Sequence, residues 1–237
     1  MLENYTVIDL EMTGLDAKTD AIIEVGAVRV RGGEITDTYH ALLRTGRSLP
    51  EKVTELTGIT EEMMRLGCEP KQAMDEFFAF VGEDILVGQN LIFDYSFLKQ
   101  WAVNHKFSFE RNAVDTLKLA RQFLPQEQKK DLESLCRYFG VEREHAHRAL
   151  EDAIETYRVF EKLKAEYGET DAEAFAPRPL LYKAKKQTPA TGRQIEYLKK
   201  YAAYYGIELS EPPSAMTRSE ASRLTDRLIA QYGKMPK

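Results

Sequence analysis

Two long segments near the start of the chain constrain its fold most, because both alternate apolar and polar residues as β-strands with one buried face do. They are TVIDLEM at 6–12 and AIIEVGAVRVRGGEITDTYHALL at 21–43, and Gly32-Gly33 interrupts the second as the turn of a hairpin. The apolar run ILVG at 85–88 predicts a short buried strand. Elsewhere apolar residues recur at helical spacing, so we predict an α/β body. The predicted helices span 69–83, 93–105, 113–124, 130–141 and 147–168.

The composition changes after Gly168, the glycine that ends the last of these helices. Residues 168–187 combine prolines with small residues and show no clear periodicity, which is typical of a linker. We therefore predict a body at 1–167, a linker at 168–187 and a small helical module at 188–237. A chain of 237 residues fits one sizeable domain with a smaller piece attached.

The predicted module contains two helical patterns. Apolar residues repeat at helical spacing over 193–209, and Thr217 with Glu220 makes a capping-box pattern at the start of 216–233. Helices of this size bury little surface alone, so they must form a tight minimal unit or dock onto the body. The first helix interleaves four tyrosines with lysines, a pattern that suits either base stacking or a small core.

The net charge of −5 is unevenly distributed along the chain. From Lys183 onward the net charge is +6, so residues 1–182 carry −11. An acidic body does not exclude a nucleic-acid substrate if its acids hold divalent cations. A basic tail is compatible with a phosphate backbone, although solvated lysines are the commoner explanation.

The N-terminus and the two cysteines predict a cytoplasmic protein with reduced thiols. The N-terminus lacks the pattern of a secretory signal, and no apolar stretch is long enough to span a membrane. Cys68 and Cys136 are far apart and form no CxxC motif, so neither a zinc site nor a disulfide framework is indicated.

Asp9 and Glu11 place two carboxylates in the first predicted strand. Side chains at i and i+2 share one face of a strand, so both acids project together while Leu10 points to the other side. Like charges held close together repel unless a cation neutralises them. The pair alone is weak evidence for a metal site, because a solvated strand face would carry acids as well.

Two further motifs add ionisable groups. In GQNLIFDYSFL at 88–98, Asp94 lies in the first turns of a predicted helix, where an acid also favours the helix dipole. In HAHRALEDA at 145–153, His147 and Asp152 are five residues apart, about 140° on an ideal helix. They converge more easily if His147 lies just before the helix that holds Asp152. Taken alone, this pair is more simply explained as two exposed residues.

Together the three motifs strongly resemble the DEDDh branch of the DnaQ-like 3′–5′ exonuclease superfamily, including bacterial DNA polymerase III epsilon and proofreading-type enzymes. The resemblance covers about residues 5–165 and includes IIEVGAV, ELTGIT and VDTLKLAR as supporting matches. It implies an RNase H-like mixed five-stranded sheet flanked by helices, with a small C-terminal helical module added. The implied substrate is the 3′ end of single-stranded nucleic acid, DNA before RNA, and the implied products are 5′-mononucleotides.

The resemblance also implies the roles of particular residues. Four acids would hold two divalent ions, Mg²⁺ or Mn²⁺, which suit carboxylate ligands. His147 would act as general base, and His145 would be a bystander. The metal-binding and catalytic acids are Asp9, Glu11, Asp94 and Asp152, and the residues that would contact the terminal nucleotide are Met12, Thr13, Gly14, Leu15, Asn90 and Phe93.

Departures from the family pattern leave the substrate open. Met12 stands where proofreading members usually have threonine, and DLEMTGL is closer to the oligoribonuclease branch. Gln89 replaces a frequent histidine. An RNase acting on short RNA or RNA 3′ ends is therefore the first alternative, and a catalytically silent module that grips nucleic acid or a polymerase is the second. Association with a DNA polymerase and the role of the tail stay open.

Overall fold

A six-stranded mixed sheet forms the centre of the computed structural model, which describes residues 2–45, 47–143, 146–209 and 212–236. The strand order is β3-β2-β1-β4-β5-β6. β1, β2 and β3 pair antiparallel, β4 and β5 join parallel to β1, and β6 closes the far edge antiparallel. The strands are β1 (Tyr5–Met12), β2 (Ile22–Arg31), β3 (Glu34–Leu42), β4 (Leu86–Gly88), β5 (Asn112–Asp115) and β6 (Arg178–Pro179).

Helices cover both faces of the sheet, as expected for an α/β fold. The helices are α1 (Glu51–Thr57), α2 (Glu61–Leu66), α3 (Pro70–Val81), α4 (Ile92–Asn104), α5 (Thr116–Phe123), α6 (Leu132–Phe139), α7 (Ala149–Tyr167), α8 (Gly192–Tyr205) and α9 (Arg218–Tyr232). In β1, Ile8 and Leu10 belong to a core cluster shared with α3 and α4, whereas Tyr5 and Val7 belong to a second cluster shared with α7. Alternate residues of β1 thus point to opposite faces of the sheet, and both faces are buried.

The predicted mixed sheet flanked by helices is confirmed, with one strand more than the expected five. β6 lies within the segment 168–187 that the sequence suggests is a linker, and it pairs with β5. Leu180 follows it, is buried in the core, and donates its N–H to the carbonyl of Arg111 at 3.0 Å. The prolines of this segment do not suggest a strand in the sequence. An edge strand nevertheless tolerates proline, because its outer side needs no N–H for the hydrogen-bonded ladder.

Three short elements differ from the sequence expectation. The segment 113–124, predicted as one helix, begins with β5, and only α5 is helical. α1 and α2 have seven and six residues and were not predicted. Helices this short show too little periodicity for a pattern to reveal them.

The start of α7 lies unusually close to β2. A Cβ atom added at Gly26 of β2 would lie 2.2 Å from backbone atoms of Ala149, the first residue of α7. Only glycine therefore permits this contact. It fixes the beginning of α7 against the sheet, next to the end of β1 that carries Asp9 and Glu11.

α8 and α9 build a small core of their own and also contact the body. Leu198, Tyr201, Ala221 and Leu228 are buried between the two helices. Capping boxes begin both helices, and the one in α9 uses the predicted Thr217 and Glu220. Glu220 also pairs with Arg47 of the body at 3.0 Å.

The tyrosines of α8 have different environments. Tyr201 is fully buried and donates its hydroxyl to the carbonyl of Leu228 at 2.9 Å, whereas Tyr204 is 59% exposed. The core-packing interpretation therefore fits Tyr201. Among the described residues, no helix combines the length and apolarity needed to cross a membrane.

Candidate active site

Asp9 and Glu11 lie near the end of β1, on the face that α7 covers. Burial, followed by the neighbouring charges of Asp94 and Asp152, raises the pKa of Asp9 well above its usual value. Burial and the charge of Asp152 raise the pKa of Glu11 to about 8. The two carboxylates are thus held among other acids, in surroundings that penalise their ionised forms.

Asp94 reaches the same place from the first turn of α4. Its Oδ1 accepts a hydrogen bond from the backbone N–H of Leu10 at 3.0 Å. β4 ends at Gly88, so the carboxylate takes the position where a longer neighbouring strand would offer a carbonyl. Burial raises the pKa of Asp94 to about 7, although this hydrogen bond opposes the shift.

His147 and Asp152 complete the cluster from the third motif. α7 begins at Ala149, so Asp152 lies in its first turn and His147 two residues before it. His147 has a left-handed backbone with φ of 61°. Candidate ligand atoms of Glu11, His147 and Asp152 lie within 4.8 Å of one another. With His147 before the helix and Asp152 inside it, the two side chains converge despite their five-residue separation. The other histidine of the motif, His145, lies outside the described residues.

Arg143 brings a positive charge to one side of this cluster. Its guanidinium lies 2.6 Å from Oδ1 of Asp152 and 2.7 Å from Oε2 of Glu155. Burial raises the pKa of Asp152, and Arg143 opposes that rise. Asp152 is therefore the acid of the cluster that a protein cation contacts directly.

Glu24, on β2, is fully buried one strand away and holds the start of α7 in place. It accepts hydrogen bonds from Arg148 at 2.6 Å and from the backbone N–H of Ala149 at 2.9 Å. His40 Nε2 lies 2.7 Å from the same carboxylate. Although burial opposes ionisation, these hydrogen bonds lower the pKa of Glu24 to about 2. Glu24 therefore anchors the helix that carries Asp152.

The donor set fits hard divalent cations. Carboxylate oxygens, with an imidazole nitrogen beside them, are suitable ligands for Mg²⁺ or Mn²⁺. Burial is the main cause of the raised pKa values of Asp9, Glu11 and Asp94. Repulsion from the other acids of the cluster adds to it at Asp9 and Glu11, and a bound cation would relieve that repulsion. Asp9, Glu11, Asp94 and Asp152 would hold such ions.

The last residue of β1, Met12, and the loop that follows it supply four of the residues expected at the substrate. Met12 is buried, and a Cβ atom at Gly14 would collide with the side chain of Asp20. Thr13 is used internally, because its N–H donates to the carbonyl of Ala21 and its hydroxyl accepts from the N–H of Ala21, both at 2.9 Å. Leu15 is 83% exposed. Among these four residues, Leu15 offers the most open side chain to a ligand.

Asn90 and Phe93 flank the start of α4. Asn90 is exposed, has a φ of 56°, and donates its N–H to Asp115 at 3.1 Å. Phe93 is partly buried and contacts the ring of Phe97, with centroids 5.6 Å apart. Both residues lie within four positions of Asp94, on the side of the cluster that α4 supplies.

Sequence reasoning missed three charged residues at this site: Glu24, Arg143 and Arg148. Glu24 lies inside IIEVGAV, which the sequence analysis uses only as a supporting match. An acid surrounded by apolar residues in a predicted strand is a signal that could have indicated a buried, paired carboxylate. Arg143 lies two residues before the third motif and Arg148 lies inside it, but no local pattern shows that they pair with buried acids.

A family model provides the first comparison with known proteins. The RNase_T model, described as an exonuclease, matches residues 6–160. The match includes all three acidic motifs and ends before α8 and α9. The cluster of acids therefore lies within the matched part of the chain.

Two relatives and one solved structure add detail. The chain is 37% identical over 163 residues to DNA polymerase III subunit epsilon of Aquifex aeolicus, covering 68% of this chain and 81% of that protein. It is 40% identical over 157 residues to the PolC-type DNA polymerase III of Thermotoga maritima, covering 66% of this chain but only 11% of the polymerase. E. coli exonuclease I in complex with a dT13 oligonucleotide shares the fold, with a TM-score of 0.62, 17% identity, and coverage of 73% of this chain and 44% of that one.

Proposed function

Because the chain belongs to the RNase_T exonuclease family, we propose that it is a metal-dependent 3′–5′ exonuclease. It hydrolyses terminal phosphodiesters of single-stranded DNA and releases 5′-mononucleotides. The observation that carries the proposal is the convergence of Glu11, His147 and Asp152 within 4.8 Å. Asp9 and Asp94 interact electrostatically with the same group.

The four acids have the task of holding cations beside the scissile phosphate. Two divalent ions, when bound there, would stabilise charge on the attacking and leaving oxygens of an in-line displacement. Asp94 is oriented by its hydrogen bond from Leu10, and Asp152 by Arg143. Both side chains are at least nine-tenths buried, which restricts the positions that their oxygens can take.

His147 is the proposed general base, which removes a proton from the attacking water. An imidazole is suited to this step because its ordinary pKa is about 6.5. The residue lies on the short segment just before α7, and Glu24 together with the contact at Gly26 fixes the start of that helix. The histidine is therefore positioned by the same anchor as Asp152.

The loop after β1 is the proposed contact for the terminal nucleotide. Leu15 extends from it, 83% exposed, and is available to pack against a base. Phe93 offers a second apolar surface beside Asp94. Met12, Thr13, Gly14 and Asn90 would line this subsite through backbone or short side chains.

We place this activity in replication proofreading or repair in the cytoplasm, with a DNA polymerase as a partner. Support comes from the two relatives, both of which are named as parts of DNA polymerase III. Sugar discrimination depends on contacts to the 2′-OH, so RNA 3′ ends are the alternative substrate.

Digestion of matched oligonucleotides tests the proposal. We expect 5′-labelled single-stranded DNA to shorten stepwise from its 3′ end in Mg²⁺ or Mn²⁺, with release of 5′-mononucleotides. The RNA of the same sequence should be cut more slowly. His147→Ala should lower turnover by roughly 10²–10⁴-fold while Mn²⁺ binding persists, and His145→Ala should have little effect.

Several results would contradict the proposal. Rapid digestion in excess chelator would exclude the metal-dependent reaction. Faster digestion of RNA than of DNA would favour the alternative substrate. Binding of either strand without any cleavage would favour a silent binding module.

A further inference from the structure

Four rings lie at four-residue intervals along α4 and its C-cap: Phe93, Phe97, Trp101 and His105. Residues at this spacing fall on one side of a helix. The centroids of Phe93 and Phe97 are 5.6 Å apart, and Trp101 and His105 stack at 4.1 Å. The row begins next to Asp94, so it connects the acid cluster with the far end of α4.

The far end of this row opens into a cleft, here named the junction cleft, with a volume of about 350 Å³. The body contributes Lys18, Arg44 and Trp101, and the opposite wall includes Ala215 and Thr217 of the C-terminal segment. Three cations, Lys18, Arg44 and Arg47, thus line the cleft with one acid, Asp20, an aromatic stack and residues that follow the family-matched region. Cations and stacked rings are the groups that hold phosphates and bases of a single strand.

Two buried polar atoms of the junction cleft lack hydrogen-bond partners among the described residues. They are Oε1 of Gln100, whose residue is only 2% exposed, and Nε1 of Trp101. One is an acceptor and the other a donor, and leaving such atoms unpaired costs free energy. Both residues line the junction cleft, and because the two atoms themselves have almost no accessible surface, a base could pair with them only after a side-chain movement.

A second cleft of about 560 Å³ adjoins the first and shares Arg47 with it. Arg223 and Arg227 of α9 line it, four residues apart, and both are exposed. Within the described residues neither has a recorded ion pair, whereas Glu220 on the same wall is paired with Arg47. Asp226 is the other acid of this wall. The positive groups therefore continue from the junction cleft onto α9.

The distance along α4 suits a nucleic-acid strand. Trp101 follows Asp94 by seven residues, which is about 10 Å at 1.5 Å per residue. That is about three nucleotides at the ~3.4 Å spacing of stacked bases. A strand whose 3′ end lies at the acid cluster can therefore reach the junction cleft with its preceding nucleotides.

We propose that the junction cleft and the arginines of α9 bind the nucleotides that precede the cleaved end of the strand. A base extends the ring stack by lying on the exposed face of His105, and the phosphates lie towards Lys18, Arg44 and the two arginines. The inference rests on the proposed exonuclease function and assigns the C-terminal module to substrate retention. A free mononucleotide has the same chemistry and is the other source that a test must separate.

Trp101 is the only tryptophan of the chain, so its fluorescence reports on the junction cleft directly. In excess chelator, which prevents cleavage, dT oligonucleotides of increasing length should quench it, with a clear increase once the strand is longer than about three nucleotides. Free dTMP at the same nucleotide concentration should have little effect. Equal quenching by dTMP would assign the cleft to a mononucleotide and overturn the strand proposal.

Charge variants test the α9 part of the path. Arg223→Ala/Arg227→Ala should weaken oligonucleotide binding and flatten its log–log salt slope by about 1.4, at ~0.7 per phosphate contact. Lys199→Ala/Lys200→Ala removes the same charge from exposed positions of α8 that line neither cleft, and should leave the slope near that of the unmodified protein.

The readouts separate this inference from the proposed function. Normal digestion with unchanged Trp101 fluorescence and equal salt slopes for both double variants would overturn the cleft proposal alone. Length-dependent quenching in a protein that cleaves no strand would overturn the exonuclease proposal and support the cleft as a binding surface. Turnover at saturating substrate should be the same for Lys199→Ala/Lys200→Ala and the unmodified protein, because these lysines line neither cleft.

Discussion

Neighbouring strands of the sheet carry two kinds of buried carboxylate. Glu24 on β2 is surrounded by donors from Arg148, His40 and the backbone of Ala149, and its pKa falls to about 2. On β1, burial and neighbouring acids raise the pKa of Glu11 to about 8 and that of Asp9 well above its usual value. Register pairs Glu11 with Glu24, so the contrast arises within one strand spacing.

The opposite pKa shifts distinguish an acid that the fold itself neutralises from acids that the fold leaves without a neutralising charge. The fold supplies every partner that Glu24 needs, and the carboxylate fixes α7 in return. For Asp9 and Glu11 the main neighbours are other acids, so their neutralising charge has to come from a proton or a bound cation. Burial alone therefore does not identify a functional carboxylate, and what distinguishes Asp9 and Glu11 from Glu24 is burial among other acids.

Removing an acid of the cluster should have the largest effect. Asp9→Ala or Asp152→Ala should lower digestion by at least about 10³-fold, because the site loses a ligand for its cations. Folding should be retained, because Asp9→Ala relieves repulsion among buried charges and Arg143 keeps Glu155 as a partner in Asp152→Ala. Stepwise digestion and circular dichroism measure the two effects. Asp75→Ala, in an exposed ion pair of α3, is the matched control and should behave like the unmodified protein.

Removing the structural acid should act mainly on stability. Glu24→Gln weakens a hydrogen-bonded ion pair with Arg148, which is 29% exposed. Breaking a fully buried pair costs about 3–5 kcal/mol, and the partial exposure of Arg148 reduces the expected loss to about 2–3 kcal/mol. Urea unfolding measures the loss, and Glu76→Gln on an exposed face of α3 should change stability by less than about 0.5 kcal/mol. A loss as small as that control would show that Glu24 does not anchor α7.

The smallest expected effect is a pH dependence in the absence of divalent ions. The pKa of Glu11 is raised from 4.5 to about 8, so the folded state favours the protonated form, and this contribution to stability is lost as pH rises through that range. In chelator, Glu11→Gln should therefore melt above the unmodified protein by a margin that grows from pH 5 to pH 8. Mg²⁺ should raise the melting temperature of the unmodified protein at pH 8 and reduce this margin.

Glu24→Gln provides the opposite control for that measurement. The pKa of Glu24 is near 2, so its carboxylate stays ionised throughout this pH range. The melting difference between Glu24→Gln and the unmodified protein should be nearly the same at pH 5 and pH 8. A margin for Glu11→Gln that is equally flat would remove the distinction between the two kinds of acid.

Much of the fold and the outline of the site follow from local sequence. Alternation predicts β1, β2 and β3, and the i, i+2 spacing predicts that Asp9 and Glu11 share a face. Their five-residue separation indicates that His147 and Asp152 converge more easily if His147 precedes the helix, although the predicted helix began at His147 and α7 begins at Ala149. Each of these expectations depends on residues close together in the chain, which a strand or helix pattern can constrain.

The supporting contacts could not be predicted, because they join distant segments. Glu24 and Arg148 are separated by 124 positions, and only the folded chain brings them together. The two-residue strand β6 is too short for any periodicity, and its prolines favour a linker interpretation. The junction cleft likewise depends on how the C-terminal segment meets α4, which no local pattern reports.

At His147 the backbone conformation and the proposed chemistry favour different residues. With φ at 61°, glycine is the residue that this position accepts most readily, and a histidine there costs conformational energy. A change to glycine would therefore relax the chain while removing the imidazole that we propose as general base. Selection for a sturdier protein and selection for a working enzyme would favour different residues here, so screening variants by thermal stability alone would enrich inactive ones.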